Sequence, residues 1–274
     1  MRAIAEFAMR GRAYATAISM VAAALPLLGW LSTVIVALVC LRSGVAAGSL
    51  IFLWTLLPVG VAFYFVGDPS PMIALVGTFM MAMLLRQTLS WELVLIASVV
   101  FSAAGALIFE FSAAGILDRF VQFYIDYLAQ VDASVVIDPV QARKLLMGFF
   151  AVGQAFSMVV MLMIARWCQS TLYNLGGFRK EFHQLRLSPA VSGSIVLAMA
   201  VCYMFGDQLG RWLPLLTVPL VFASIGLAHW LMANRELSKN WVVGFYGSLT
   251  LLFQIVYPVL ASLALMDSWF DIRN

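Results

Sequence analysis

The chain has 274 residues, of which 64% are hydrophobic and only 11% charged, and its formal net charge is +3. A soluble domain carries about 45–50% apolar and about 25% charged residues, so a chain with a mean hydropathy of +0.99 has too few charges to make a water-facing surface. A soluble enzyme, a disordered protein and a nucleic-acid-binding domain are excluded, and nucleic acid is not an expected partner. What remains is an all-α, polytopic transmembrane bundle in contact with a lipid bilayer, read as a single integral membrane domain over 1–274.

The N-terminus, 1–12, carries Arg2, Arg10 and Arg12 ahead of an apolar run over 13–41. That run is too long for a cleavable signal and reads as an uncleaved first anchor. As one helix it would measure about 43 Å against a hydrocarbon core of about 30 Å. Pro26 and Gly29 interrupt it, so it is either one kinked, tilted helix or a hairpin of 13–27 and 30–41. Further apolar stretches fall at 48–66, 71–86, 91–110, 143–168, 189–206, 211–233 and 241–266.

Charge decides between the two forms of the first run. With the hairpin and a cytoplasmic N-terminus, eleven Lys/Arg residues fall on the cytoplasmic ends, Arg42, Arg86, Arg166, Arg179, Lys180 and Arg186 among them, and five on the outer ends. Acidic residues divide the other way, with Asp68, Glu110, Asp118, Asp126, Asp132, Asp138, Asp207, Asp267 and Asp271 outside, so the faces carry +7 and −4. A single first helix would invert this bias, which is the established orienting signal. The expectation is about nine membrane segments (about eight if the first run is one helix), N-terminus in and C-terminus out.

Residues 111–142 form the one sizeable stretch too polar to span. Leu117, Phe120, Val121, Tyr124, Tyr127, Leu128 and Val131 recur at three- and four-residue steps, with Asp118, Arg119, Gln122, Asp126 and Gln130 between them. This predicts an amphipathic helix over about 114–131 on the extracytoplasmic interface. Asp138-Pro139 reads as an N-cap and first helical position. A Phe-Ser-Ala-Ala-Gly pentapeptide occurs at 101–105 and again at 111–115; its small residues permit close helix approach, but the echo itself is read as coincidence.

No motif for phosphate binding, zinc hydrolysis or a nucleophile elbow occurs, so no catalytic residue and no cofactor is expected, and the chain is not read as an enzyme. Cys40, Cys168 and Cys202 lie singly in apolar runs, and neither His183 nor His229 has a partner at metal spacing, so no metal site is expected. Gly67-Asp68 and Gly206-Asp207 follow aromatic clusters and read as glycine helix stops beside an interfacial belt. The basic loop 174–188 reads as a cytoplasmic orienting segment with a solvated His183. The best functional pointers are polar residues deep in apolar segments. Gln154 and Gln254 fall near the middle of 143–168 and 241–266. They are expected either to bond across helices or to line a ligand pocket with Ser157 and Tyr257.

Leu41-Arg42-Ser43-Gly44, Gly176-Gly177-Phe178-Arg179 and the terminal run from Leu265 to Arg273 resemble the YybS-like family of bacterial integral membrane proteins. That family is distantly similar to the substrate-binding membrane subunits of energy-coupling-factor transporters. The resemblance implies a bacterial cytoplasmic membrane and a small-molecule pocket among the helices; a separate membrane or energising protein partner is expected because the chain has no nucleotide-binding motif of its own. The expected function is therefore to bind or help transport a small molecule. The alternative is a membrane scaffold or assembly factor without a ligand.

Overall fold

The structure, a computed structural model, describes residues 1–131 and 137–273. Among these the regular structure is entirely helical. In chain order the helices are α1 (Arg2–Ala8), α2 (Arg12–Ala24), α3 (Gly29–Ser43), α4 (Val45–Val66), α5 (Ser70–Thr88), α6 (Trp91–Ser112), α7 (Ala114–Val131), α8 (Pro139–Tyr173), α9 (Gly177–His183), α10 (Pro189–Met204), α11 (Gly206–Leu209), α12 (Leu213–Leu216), α13 (Val218–Asn234), α14 (Lys239–Leu251) and α15 (Phe253–Phe270). A turn of 3-10 helix at Gly210–Trp212 joins α11 to α12. Among the described residues, six stretches are long and apolar enough to cross a membrane: α4, α5, α6, α8, Gly206–Asn234 and α15; α3 and α10 are shorter apolar helices. The chain is a multi-pass membrane protein by this criterion. It folds as two compact units, Met1–Leu175 and Gly176–Asn274, where the sequence was read as one domain.

In the first unit the apolar run 13–41 is a hairpin. α2 stops at Ala24, before Pro26, and α3 starts at Gly29. Proline cannot donate a backbone hydrogen bond, so the run breaks where it stands. α3 is the centre of the unit: Leu31 to Leu41 are all buried, and α2, α4, α5 and α8 pack round it. Gly44, at φ +103°, alone joins α3 to α4. Four residues on, Gly48 lies so close to α3 that a Cβ there would stand 2.7 Å from Cys40 Cβ and 2.8 Å from Cys40 Cα. A glycine is required at this crossing.

The C-terminal ends of α3, α5 and α8 gather at one end of the unit. Arg86 donates to Leu41 O at 2.5 Å, Gln169 Nε2 donates to the same carbonyl at 3.2 Å, and Arg42 lies 4.0 Å from the Tyr173 ring centroid. These contacts satisfy carbonyls at the negative end of α3. At the opposite end Gly67, at φ +78°, closes α4 with its N–H on Phe63 O. α7 runs over 114–131 as the periodicity predicts, and docks through Leu117 and Val121. Phe120, Phe123, Tyr127 and Val131 stay exposed, and Asp118 pairs with Arg143 of α8. Asp138 stands directly before α8 but makes no capping bond through its side chain. Asp132, part of the acidic count, lies outside the described residues. The two Phe-Ser-Ala-Ala-Gly copies fare differently: a Cβ at Gly105 would meet Ile73, while one at Gly115 would meet open space.

The second unit departs further from expectation. Its buried element is α13, with Val218 to Leu227 all inside. The stretch 211–233 begins as short helical turns and becomes regular at Val218. The stretch 241–266, read as one helix, breaks at Leu252, whose backbone stands at φ −115°, ψ 35°. Gly206 opens α11 and is not a left-handed stop. The loop 174–188 contains α9, which packs on α13 at Gly226, where a Cβ would stand 2.8 Å from Phe182 O. His183 is half-buried, not solvated. Burial first, then the nearby Arg179, His229 and Arg273, hold its imidazole below the usual histidine range.

The C-terminal residues are strapped to the segment that precedes α10. Arg273, almost wholly buried, pairs with Asp267 at 2.9 Å and donates to His183 O at 2.5 Å and Leu185 O at 2.7 Å. Arg186 pairs with Asp271 at 2.6 Å. Ser268 Oγ donates to Leu187 O at 2.6 Å and meets Ser192 Oγ at 2.9 Å. Asp267, Asp271 and Arg273, assigned by charge to the face opposite Arg186, are thus held beside it. Counting charges at helix ends treats each end separately and cannot register a pairing across about eighty residues of chain.

Candidate functional site

Each feature that opens a space in the first unit is a local consequence of sequence. The Pro26 break leaves α2 and α3 short at the same end, and the Gly67 stop leaves the α4–α5 link beside them. α8, 35 residues long, passes the gap with the middle of its apolar stretch. The result is a cavity of about 520 Å³ whose wall comes from Leu25 to Trp30, from α3 and α4, from Asp68 to Ala74 and from α8. Ligand pockets usually measure about 300–1,000 Å³, apolar for the most part with a few convergent polar groups, and this cavity has that make-up.

Gln154 is the decisive residue. Its side chain lines the cavity and the residue is only 9% exposed. Its Oε1 is buried with no hydrogen-bond partner among the described residues. An unsatisfied buried acceptor costs about 1–3 kcal/mol, and because Gln154 borders the cavity, a turn of its amide toward that space would let a ligand donor satisfy the oxygen. Ser157, one helical turn on, lines the same cavity. Across from them stand Asp68 and Ser70, where Asp68 Oδ1 accepts from Ser70 N at 2.9 Å and from Ser70 Oγ at 2.5 Å. That turn holds the start of α5 and leaves the second carboxylate oxygen of Asp68 outside these two bonds. Ser32 also lines the cavity, but its hydroxyl is returned to Gly29 O in its own helix.

Of the four residues expected to share a pocket, Gln154 and Ser157 do so. Gln254 and Tyr257 belong to the second unit. Gln254 is the second residue of α15 and exposed; its expected place at mid-span assumed a continuous 241–266 helix. Tyr257 OH is 2.6 Å from Thr217 Oγ1. Asp68, Ser70, Ser32 and Trp30 were not singled out as pocket residues, although the Pro26 and Gly67 breaks that expose them are plain in the sequence. Cys40, Cys168 and Cys202 are all buried as free thiols, in keeping with a packing role. Comparison with protein-family models, with curated proteins and with solved structures finds no match, so the site's own chemistry carries the functional argument.

Proposed function

We propose that this chain is a multi-pass protein of the bacterial cytoplasmic membrane that binds a small molecule in the Gln154 cavity and serves its transport with a separate energising partner, without itself catalysing a reaction. The unpartnered Gln154 carbonyl in a half-open, mostly apolar cavity carries the reading, because a residue kept only for interhelical bonding would have its acceptor satisfied. The nine-segment reading counts α2 to α6 and α8 in the first unit, and α10, α13 and the α14–α15 stretch in the second. The +7/−4 charge division supports a cytoplasmic N-terminus and a cytoplasmic 174–188 loop. The Arg186–Asp271 pair supports a C-terminus on the face of that loop, in place of the outward C-terminus expected from charge alone. α14 and α15, broken at Leu252, then enter the bilayer and return.

Native mass spectrometry of the full chain in mild detergent tests the ligand. A small molecule retained by the wild type and lost, at least tenfold, in Gln154→Leu is the expected result. A wild type that carries nothing, or a variant that retains the same species equally, overturns it.

A further inference from the structure

A second cavity adjoins the first. It measures about 700 Å³, and the two share Val66, Asp68 and Ser70 in their walls. Its remaining wall is of another character. α7 contributes Ile116, Leu117 and Phe120, α6 contributes Phe109, and α8 contributes Phe149 and Phe150 among others. Phe109 and Phe150 are in ring contact at 4.3 Å. Arg119 is the one cation of this wall, and its Nε is turned back onto Gly115 O of its own helix at 3.2 Å. Away from the shared Asp68 and Ser70 and from Arg119, this chamber is lined by hydrocarbon and aromatic rings against the amphipathic helix, while its neighbour adds Gln154 and Ser157. Two of those polar groups are acceptors free to take a donor: the Gln154 carbonyl, without a partner among the described residues, and the second oxygen of the Asp68 carboxylate.

Resting on the reading of the Gln154 cavity as a ligand site, we infer that the ligand is an amphiphile with one apolar chain and a hydrogen-bond-donating head. The chain occupies the aromatic chamber beneath α7, and the head, bearing hydroxyl or ammonium donors, reaches Gln154 past Asp68 and Ser70. Apolar burial supplies affinity for the chain at about 25 cal/mol per Å². The Gln154 carbonyl and the Asp68 carboxylate select the head, since a donor satisfies the first and a carboxylate head would meet the like charge of the second without a donor to offer. The exposed Phe120, Phe123 and Tyr127 beside the chamber suit α7 to lie at the lipid interface, from which an amphiphile enters sideways.

A monoacylglycerol bearing a diazirine in its chain, irradiated with the full chain in phospholipid vesicles, tests this by peptide mapping. Expected are adducts concentrated within 116–120 and 146–150, reduced at least fivefold by Ile116→Trp, which fills the apolar chamber, and by Gln154→Leu. An unlabelled monoacylglycerol should compete, a long-chain alkylamine should compete if the ammonium is accepted, and a fatty acid of the same length should compete at least fivefold less well. Competition on the wild type needs no variant to fold. Adducts spread evenly along the lipid-facing helices, or equal competition by the fatty acid, overturn the inference. If a small molecule is retained and depends on Gln154 while 116–120 and 146–150 stay unlabelled and Ile116→Trp has no effect, the amphiphile is wrong and the cavity reading stands. Loss of both signals removes both.

Discussion

The two units solve the same problem by different means. The first wraps α2, α4, α5 and α8 round a buried apolar α3, with Arg42 and Arg86 at the end where α3 and α5 finish. The second has one buried helix, α13, flanked by broken pieces, and is closed by an ion pair and carbonyl contacts at Arg273. The first is a mostly apolar core with a hydroxyl bond between α2 and α4; the second carries a buried ion pair within its packing. An apolar core tolerates a cavity, because the surrounding helices are long and independently placed. The second unit has fewer long helices, and the Arg273 contacts tie its C-terminal residues to the segment before α10.

This difference explains what was legible in the sequence. The hairpin of α2 and α3, the end of α4 and the amphipathic α7 each follow from signals within a few residues: Pro26, Gly67 and the stripe from Leu117. The second unit turns on contacts between Arg273 and the carbonyls at 183 and 185, and no periodicity encodes those. The break at Leu252 falls between Gly247 and Pro258, at neither of them, so its position is not announced by the sequence. The site divides likewise. Gln154 stood out as an amide in an apolar run, and Ser157 one turn away follows from helical spacing. Asp68 and Ser70 join them only through the packing of α5 against α8, and Gln254 stands at the start of α15 because the helix expected over 241–266 is not continuous.

The comparison is broken most sharply by topology, where the expected effect is all or none. Single cysteines at Leu27, Gln87, Lys180 and Phe270, all exposed positions, are tested with an impermeant maleimide in intact and permeabilised cells. The three native thiols are buried and contribute little background. Leu27→Cys should label in intact cells. Gln87→Cys, Lys180→Cys and Phe270→Cys should label only after permeabilisation. Labelling of Phe270→Cys with Lys180→Cys protected would separate the ends that the Arg186–Asp271 pair joins.

Next in size is the clamp itself. Arg273→Gln leaves Asp267, 2% exposed, as a buried charge without its ion pair, a loss of about 3–5 kcal/mol. Equilibrium unfolding in mild detergent should show it, with limited proteolysis locating the weakening after Gly176. Asp267→Asn combined with Arg273→Met should recover much of the loss, since both charges are gone. Equal damage from the single and double variants would mean that packing of the arginine stem, not the charge pair, holds the second unit.

In the first unit the sensitive contact is apolar. Gly48→Ala forces a methyl against the Cys40 backbone and should cost about 1–3 kcal/mol. Gly60→Ala, on the same helix but facing open space, should be neutral or stabilising by up to about 1 kcal/mol from helix propensity. Similar effects at the two positions would show that the α3–α4 crossing is looser than the geometry indicates.

The smallest effect concerns sign more than size. Thr55 and Ser19, both buried, share a hydroxyl bond of 2.9 Å between α4 and α2. Such interhelical bonds are worth about 0.6 kcal/mol on average and up to about 1.7, so Thr55→Val should lose stability within that range. Gln154 is equally interior but its acceptor is unmet, so Gln154→Leu in ligand-free protein should lose nothing and gain about 1 kcal/mol as the desolvation penalty of an unsatisfied acceptor is removed. Two polar-to-apolar changes in one unit are thus expected to move in opposite directions. Unfolding midpoints of the two variants, measured side by side after extensive detergent exchange, give the answer. If Gln154→Leu is destabilising by the same margin as Thr55→Val, the glutamine bonds within the helix bundle and the cavity loses the group that marks it as a binding site. If it stabilises the empty protein while ligand retention falls, stability has been given up at Gln154 for the sake of what it binds.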